Sequence, residues 1–411
     1  MVMTGGHGYD EENTGPLAGI RVVEIASVLM APFGGQVLAD LGADVVRIEG
    51  ARLDPGRILG SGPHPQLSGM ALNMHRNKRS VQLDLASAAG REVLLRLLGT
   101  ADVLLTNFRP AALRRLRLSY DDLRHDHPGL IYCEAHGYHT ATGEADLPVF
   151  DEIVQAAVGL PSLMESAGLP VSFLPTVVAD KVAGLYLAQA VLAALVHKAR
   201  GGGGQRVEVP MFDALLAFTL CEHLGRAVTP GLPAGYLRIL TAHRGPHRTS
   251  DGHIAVLPYS DENWTDFYRA VGHEHELDQP WFASQRARHT HPDEVYSSLA
   301  AILAERTTDE WMELCRKLGI PCARVPSLDR IVEDEELHRG VLQELDHPVI
   351  GRHRSIRSPF GFERTPVAMR HPAPLVGEQS LEVLRELGYG EDELDRLVAD
   401  STVGDPGNPL P

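Results

Sequence analysis

The sequence predicts an α/β protein: a large domain built on a Rossmann-like, doubly wound parallel sheet, with a second, smaller α+β domain. Three features predict it. A βαβ pattern opens the chain, strand and helix signals alternate well beyond it, and the texture changes after about Pro230. Alternating strands and helices bury apolar faces best when the strands run parallel between two helical layers.

Residues 20–25 (IRVVEI) carry the β-branched run of a strand, 33–41 (FGGQVLADL) a helical spacing, and 45–48 (VVRI) a second strand. The alternation continues with VQLDL at Val81, a helix over 88–98, ADVLLTNF at Ala101 and LIYCEAHGY at Leu130. Helices are expected over 151–160 and 180–198. The second is apolar nearly all round and is expected to be buried. His197, Lys198 and Arg200 suit its C-terminus, with Gly201–Gly204 beyond as a turn. RVEVPM reads as a short strand, and a helix starts at Phe212. Residues 230–330 hold a hairpin-like stretch around Asp251 and Gly252 and then several helices. From Ser327 helix and strand resume, ending in amphipathic helices at 380–387 and 391–399. The expected layout is therefore 1–225 for the N-terminal part of the large domain, 226–330 for the small domain, and 331–411 returning to the large one.

Composition narrows the function classes. The 411 residues include 54 acids and 38 Lys or Arg, a formal net charge of −16, which disfavours a general nucleic-acid binder. Four cysteines without CxxC spacing suit reduced thiols in a cytoplasmic protein. The opening MVMTGGHGYDEENTG lacks the pattern of a signal peptide; it and the closing GDPGNPLP are expected to be flexible tails. The most apolar segment, 182–196, is 15 residues, short of a membrane span, so no membrane is expected.

The chemistry-bearing motifs are few. The 20 histidines include no HExxH, and His273/His275 and His289/His291 are spaced so that they face apart on a helix, so no metal is expected. Gly201–Gly204 lacks the Lys-Ser/Thr of a phosphate loop, and Gly34-Gly35 is not part of a GxGxxG, so a nicotinamide dehydrogenase has no support. Asp180 stands before an apolar helix. It reads either as the helix cap or as a nucleophile kept ionised by the positive helix end.

The run PLAGIRVVEIASVLMAPFGGQVLADLGADVVRIEG resembles the opening of the family III CoA-transferases, the CaiB/BaiF type. Further segments match in order: NKRSVQLDL, ADVLLTNFRPAAL, FDEIVQAAVGL, VVADKVAG, GQRVEVPMFDALLAF, RTSDGHIAVLP, GIPCARV and PLVGEQSLEVLRELGY. The resemblance covers nearly all of residues 16–400. It implies a transferase that moves coenzyme A from an acyl-CoA to a carboxylic acid, with no permanently bound cofactor. It also implies that Asp180, 29 residues after Asp151, is the catalytic aspartate. Such an aspartate attacks the thioester to form a mixed anhydride, and CoA thiolate then gives an enzyme thioester. By position, the implied CoA contacts are Leu29 and Met30, Leu83 and Asp84, Asn107, Phe108 and Arg109, Arg115, and Phe150 and Asp151. Arg57 and Lys78 are further phosphate candidates. The family also forms an interlocked homodimer, which the long segments around the small domain fit.

The sequence departs from its relatives in places. Phe150 stands where the related α-methylacyl-CoA racemases carry a histidine proton carrier, which disfavours racemisation or isomerisation at an acyl-CoA α-carbon. Pro148 replaces a CoA-binding lysine and Gly50 a CoA-contacting arginine of formyl-CoA transferase, although Arg52 is near. The glycine-rich lid of that enzyme is missing from residues 230–250, so formyl-CoA and oxalate are not the expected substrates. A CoA-binding protein without catalysis would need Asp180 to be only a cap.

Overall fold

The computed structural model of the chain describes residues 14–410; residues 1–13, most of the expected N-terminal tail, lie outside the described residues. In chain order the regular elements begin with β1 (Arg21–Ile25), α1 (Met30–Asp40), β2 (Asp44–Glu49), α2 (Pro55–Ile58), α3 (Gly69–Met74), β3 (Lys78–Leu83) and α4 (Ala88–Leu98). There follow β4 (Val103–Thr106), α5 (Pro110–Leu116), α6 (Tyr120–Leu123), β5 (Ile131–Glu134), α7 (Asp151–Ala157), α8 (Leu160–Ser166), α9 (Val178–Ala199), β6 (Arg206–Glu208) and α10 (Met211–His223). Next come β7 (His247–Arg248), β8 (His253–Val256), α11 (Asp261–Ala270), α12 (Gln285–Thr290), α13 (Pro292–Leu303), α14 (Thr308–Lys317) and β9 (Cys322–Arg324). The chain closes with α15 (Leu328–Glu333), α16 (Glu335–His338), β10 (Leu342–His347), β11 (Gly351–Ile356), α17 (Ser380–Glu386), α18 (Glu391–Ala399) and β12 (Val403–Gly404).

The chain divides into two compact units. One takes in the described residues up to Val154, then Thr176–Leu216, and everything from Arg339 onward. Its seven-stranded sheet has the order β12-β3-β2-β1-β4-β5-β6. All neighbours pair in parallel except β12, which runs antiparallel to β3. Val22, Val23, Val45, Val46, Val103 and Leu104 are fully buried, as a parallel sheet covered on both faces requires. β2 and β3 lie to one side of β1, and β4 to β6 to the other. The order thus reverses between β1 and β4, and the C-terminal ends of strands at such a reversal are where open α/β sheets bind ligands.

The other unit holds Gln155–Pro175 and Ala217–His338. In it β7, β8 and β9 form an antiparallel sheet, with the β7–β8 hairpin turning at Asp251 and Gly252. Its core is aromatic, with Trp264, Phe267, Tyr268 and Trp311 packed against Leu299 and Leu303.

Two expectations are corrected by packing. The closing residues are no loose tail: Val403 and Gly404 pair with β3, and the buried Leu410 donates its backbone N–H to Gln82 Oε1 at 3.1 Å. Helix α9 is not buried all round. It buries Ala179, Val182, Ala183, Gly184, Leu187, Ala188, Val191 and Ala194, while Leu185, Tyr186 and Val196 are exposed. It also runs 22 residues, long and apolar enough to cross a membrane by length and composition alone.

Helix α9 meets α1 at two glycines. A Cβ on Gly184 would stand 2.7 Å from the Met30 carbonyl oxygen, and one on Gly34 would stand 2.6 Å from Leu187 Cδ2. Beneath α1 lies a charge cluster sealed from water. Arg47 pairs with Glu24 at 2.6 Å and with Asp54, and Lys78 Nζ reaches Glu24 at 2.8 Å and the Pro32 carbonyl at 2.7 Å. Gly35 is the lid on this cluster, because its Cβ would lie 1.9 Å from Glu24 Oε2. An added methyl there must displace a buried, paired carboxylate. Gly35→Ala is therefore expected to cost about 3 kcal/mol or more of unfolding free energy. Gly50→Ala, whose Cβ meets nothing within 4 Å, should be close to neutral. Denaturant unfolding of the two variants measures the difference.

Candidate active site

Asp180 is the third residue of α9, and it does not cap the helix. The residue before the first turn is Val177, which contributes no side-chain cap. The cap comes instead from Asp151 at the start of α7, whose Oδ1 accepts from the backbone N–H of Ala179 at 2.6 Å and of Asp180 at 3.1 Å. Asp151 is buried and does for α9 what a cap residue does from within the chain. The Asp180 carboxylate is left to other partners. The backbone N–H of Met30, the first residue of α1, faces it and favours its ionised form.

The expectation that the helix end keeps Asp180 readily ionised is corrected. Burial, and then the neighbouring Asp151 and Glu152, push its pKa up to about 7, against the lowering effect of the Met30 N–H. Removal from water and two like charges outweigh one aligned dipole. A carboxylate of this kind is about half ionised at neutral pH and more basic than an ordinary one, and a general base or nucleophile is tuned in the same way.

The turn that delivers the Met30 N–H is held unusually. Val28 has φ +61, a left-handed conformation that a β-branched residue adopts only under constraint, at a cost of about 1–3 kcal/mol. Its N–H donates to Asp54 Oδ1 at 2.9 Å, and its carbonyl lies against Gly56, where a Cβ would approach to 2.6 Å. One residue earlier, the Ser27 N–H donates to Asn107 Oδ1 at 2.9 Å while Asn107 Nδ2 donates to the Ser27 carbonyl at 2.8 Å. Asn107 follows β4 and Ser27 follows β1, so this reciprocal pair ties the two loops where the strand order reverses. Val28 and Asp54 were missed in the sequence. Asp54-Pro55 is a legible start signal for α2, whose cap Asp54 is, but nothing marks Val28 as left-handed.

The other sequence candidates divide. Asp151 meets Asp180 at the start of α9, Leu29 and Met30 open α1 beyond β1, and Asn107 beyond β4 bonds the Ser27 backbone. Leu29 and Met30 are buried, so they present backbone rather than side chains. Phe108 packs half-buried against the core below. Arg109 and Arg115 are exposed on α5. Arg109 makes one long contact, 3.4 Å, to the Asp146 carbonyl, and Arg115 has no acidic partner among the described residues. Phe150 is 64 % exposed beside Asp151. Asp84 is half-buried and caps its own loop by accepting from the Ala86 N–H at 3.0 Å.

Three candidates are corrected. Leu83 is fully buried in the core, so its side chain is closed to a ligand. Arg57 is fully buried, clamps Glu49 at 2.7 Å and 2.5 Å, and donates to the Pro374 carbonyl at 2.8 Å, which leaves nothing for a phosphate. Lys78 is spent on Glu24 and Pro32, and burial brings its pKa down to about 8 against the pull of Glu24. These bases look from the sequence like anion sites because their acidic partners lie 8 and 54 residues away. A cleft of about 350 Å³ between Arg21, Arg79, Asp44 and Glu386 lies at the N-terminal ends of β1 to β3, the far end of the sheet from Asp180. Its charges pair with one another. Among the described residues no three His, Cys, Asp or Glu side chains gather as a metal site.

Comparison with known proteins is consistent over most of the chain. The model of CoA-transferase family III matches residues 17–380. The chain is 30% identical over 384 residues to the probable fatty acyl-CoA transferase Rv3272 of Mycobacterium tuberculosis, covering 89% of this chain and 96% of that one. It is 30% identical over 389 residues to a succinate–glutarate CoA-transferase of Agrobacterium fabrum, covering 90% and 96%. A crystal structure of Rv3272 superposes with a TM-score of 0.77 at 30% identity, covering 90% of this chain and 99% of that one. A CAIB/BAIF family protein from Brucella suis superposes with a TM-score of 0.78 at 25% identity, covering 92% and 100%.

The raised pKa of Asp180 has a consequence for stability. Unfolded, the carboxyl titrates near 4; folded, at about 7. Between those values the folded state holds the extra proton, so this group makes stability fall as pH rises through the window, and its full cost is present above 7. Asp180→Asn is therefore expected to be more stable than the parent at pH 8, by on the order of 1–3 kcal/mol, and equal to it near pH 4. Urea unfolding at the two pH values reads this directly; a difference that does not change with pH would contradict it.

Proposed function

The chain belongs to CoA-transferase family III, and we propose that it moves coenzyme A from an acyl-CoA to a free carboxylic acid with Asp180 as the residue that carries the acyl group. One observation carries this reading above the rest. Asp151 caps α9, so the Asp180 carboxylate is free of that duty and sits half-buried against the Met30 N–H.

The chemistry divides one exchange into steps of similar difficulty. Ionised Asp180 attacks the thioester carbonyl, the C–S bond breaks, and CoA leaves as thiolate from a mixed anhydride. The thiolate then attacks the aspartyl carbonyl of the anhydride, releasing the donor acid as its carboxylate and leaving CoA on Asp180 as a thioester. The acceptor carboxylate attacks that thioester, and the returning thiolate takes the new acyl group and frees Asp180. When the aspartyl carbonyl is attacked, negative charge develops on the Asp180 oxygen, and the Met30 N–H that faces this group can stabilise it. In this reading Arg109 and Arg115, both exposed beyond β4, pair with CoA phosphates.

The competing readings lose their support. A racemase needs a proton carrier where Phe150 stands, and a phenyl ring carries none. A non-catalytic binder needs Asp180 as the cap, a role that Asp151 fills. The wider reading is a cytoplasmic, interlocked homodimer, with residues 1–225 and 331–411 as the CoA-binding domain and 226–330 as a small domain. Leu185 and Tyr186 on α9, Ile153 on α7 and Phe150 just before it are large apolar side chains exposed on the single chain, which supports a partner surface.

The test pairs an acyl-CoA with an isotope-labelled acid and reads CoA exchange by mass. Asp180→Asn keeps the volume and leaves the Asp151 cap in place, so it is expected to fold and to lose exchange by about a thousandfold or more. Arg115→Ala is expected to raise the KM for acyl-CoA about tenfold with kcat nearly kept, the signature of a lost phosphate contact. Full exchange by Asp180→Asn would end this reading.

A further inference from the structure

The first turn of α1 is anchored at both ends to the same buried charges. At its start the N–H of Val28 donates to Asp54 Oδ1 at 2.9 Å, and the other oxygen of Asp54 pairs with Arg47. At its end the Pro32 carbonyl accepts from Lys78 Nζ at 2.7 Å. Arg47 and Lys78 meet on Glu24, at 2.6 Å and 2.8 Å. Glu24, Arg47 and Lys78 are all but sealed from solvent, so the anchor has no exposed, mobile member at its centre. Between the two ends lies Met30, whose carbonyl lies against Gly184, one turn along α9 from Asp180, and whose N–H faces the Asp180 carboxylate.

We infer that Asp54 is a positioning residue for the transfer reaction: through the buried Arg47–Glu24–Lys78 cluster it holds Val28 left-handed and thereby aims the Met30 N–H at Asp180. The inference rests on the proposed role of Asp180 and adds to it a reason for the strain at Val28. Left alone, a valine relaxes to negative φ, and the turn that follows swings with it. A carboxylate that accepts from its N–H and is itself locked by a guanidinium over-determines the turn, which is the condition under which such strain persists at functional sites. The same arrangement explains why the cluster holds no spare cation for a ligand. Its charges are used to hold a backbone donor in place, as a fixed dipole must be if it is to stabilise charge without reorganising.

The groups that face Asp180 are Asp151 and Glu152 from α7 and the Met30 N–H from α1, whose first turn carries no charged side chain. A swing of the turn therefore removes the one interaction that favours the ionised form, and the acid limb of the rate profile moves to higher pH. A merely structural role for Asp54 leaves that limb in place.

The experiment is a cycle of Asp54→Ala and Val28→Gly on the full chain, with kcat, KM for acyl-CoA and the pH profile of exchange measured for all four proteins. Glycine adopts φ +61 without strain, so it needs no clamp. The inference expects Asp54→Ala to lower kcat at least tenfold with KM altered less than twofold, and to shift the acid limb upward. With glycine at position 28 the same substitution should cost less than threefold. If Asp54→Ala does not fold, Asp54→Asn, whose amide sets an N–H against Arg47, is read in the same cycle. Equal losses in both backgrounds, or an acid limb that stays where it was, would overturn the inference while leaving Asp180 as nucleophile. Full exchange by Asp180→Asn would overturn both.

Discussion

Everything at the candidate site depends on how closely α1 and α9 touch. Two glycines, Gly34 and Gly184, allow backbone to lie against backbone, with no room for a methyl group on either side. Gly184 is one turn along α9 from Asp180, so the contact that fixes Gly184 against the Met30 carbonyl also sets Asp180 beside the Met30 N–H. With larger residues there, the helices would separate by a few ångströms and the carboxylate would face solvent instead of a donor. The parallel sheet supplies the rest of the placement. α1 leaves the C-terminal end of β1, next to the reversal in strand order, and Asn107 from β4 closes the loop around it.

The electrostatics follow from burial more than from pairing. Among the described residues Asp180 has no cationic partner. Its pKa rises because water is excluded and because Asp151 and Glu152 add like charge, and only one backbone donor opposes this. A few residues away the opposite regime holds. Despite burial, Arg57 and Arg47 hold Glu49 down to about 2. The protein thus keeps two kinds of buried acid close together. Those paired with bases are locked into structure, and the unpaired one is left reactive.

Much of this was legible in the sequence. The β1-α1-β2 unit, the burial of β4 and β5 and the C-terminal helices follow from apolar period alone, and Asp180 was found because the surrounding segments resemble a family. The limits of the reading have physical causes. Asp151 and Asp180 are 29 residues apart, and no local pattern says that the first caps the helix of the second. Arg57 and Lys78 resemble solvent-facing phosphate ligands until their distant acids are placed beside them. Gly34-Gly35 fits no local motif, because its purpose is close approach to Gly184 and Glu24. The closing GDPGNPLP has the composition of a tail, yet Gly404 pairs with β3 and Leu410 is buried. Propensity sees neighbours in sequence, and each of these features is decided by a partner far along the chain.

The central claim is that an acyl group rests on the Asp180 side chain during turnover. The direct measurement is to mix the enzyme with acyl-CoA, quench with hydroxylamine, digest, and map peptide masses over residues 177–184. The account predicts a hydroxamate on Asp180, since both a mixed anhydride and an enzyme thioester are activated acyl groups, and predicts none when acyl-CoA is left out. A hydroxamate on another residue, or an unmodified Asp180 in an enzyme that is exchanging CoA, would contradict it.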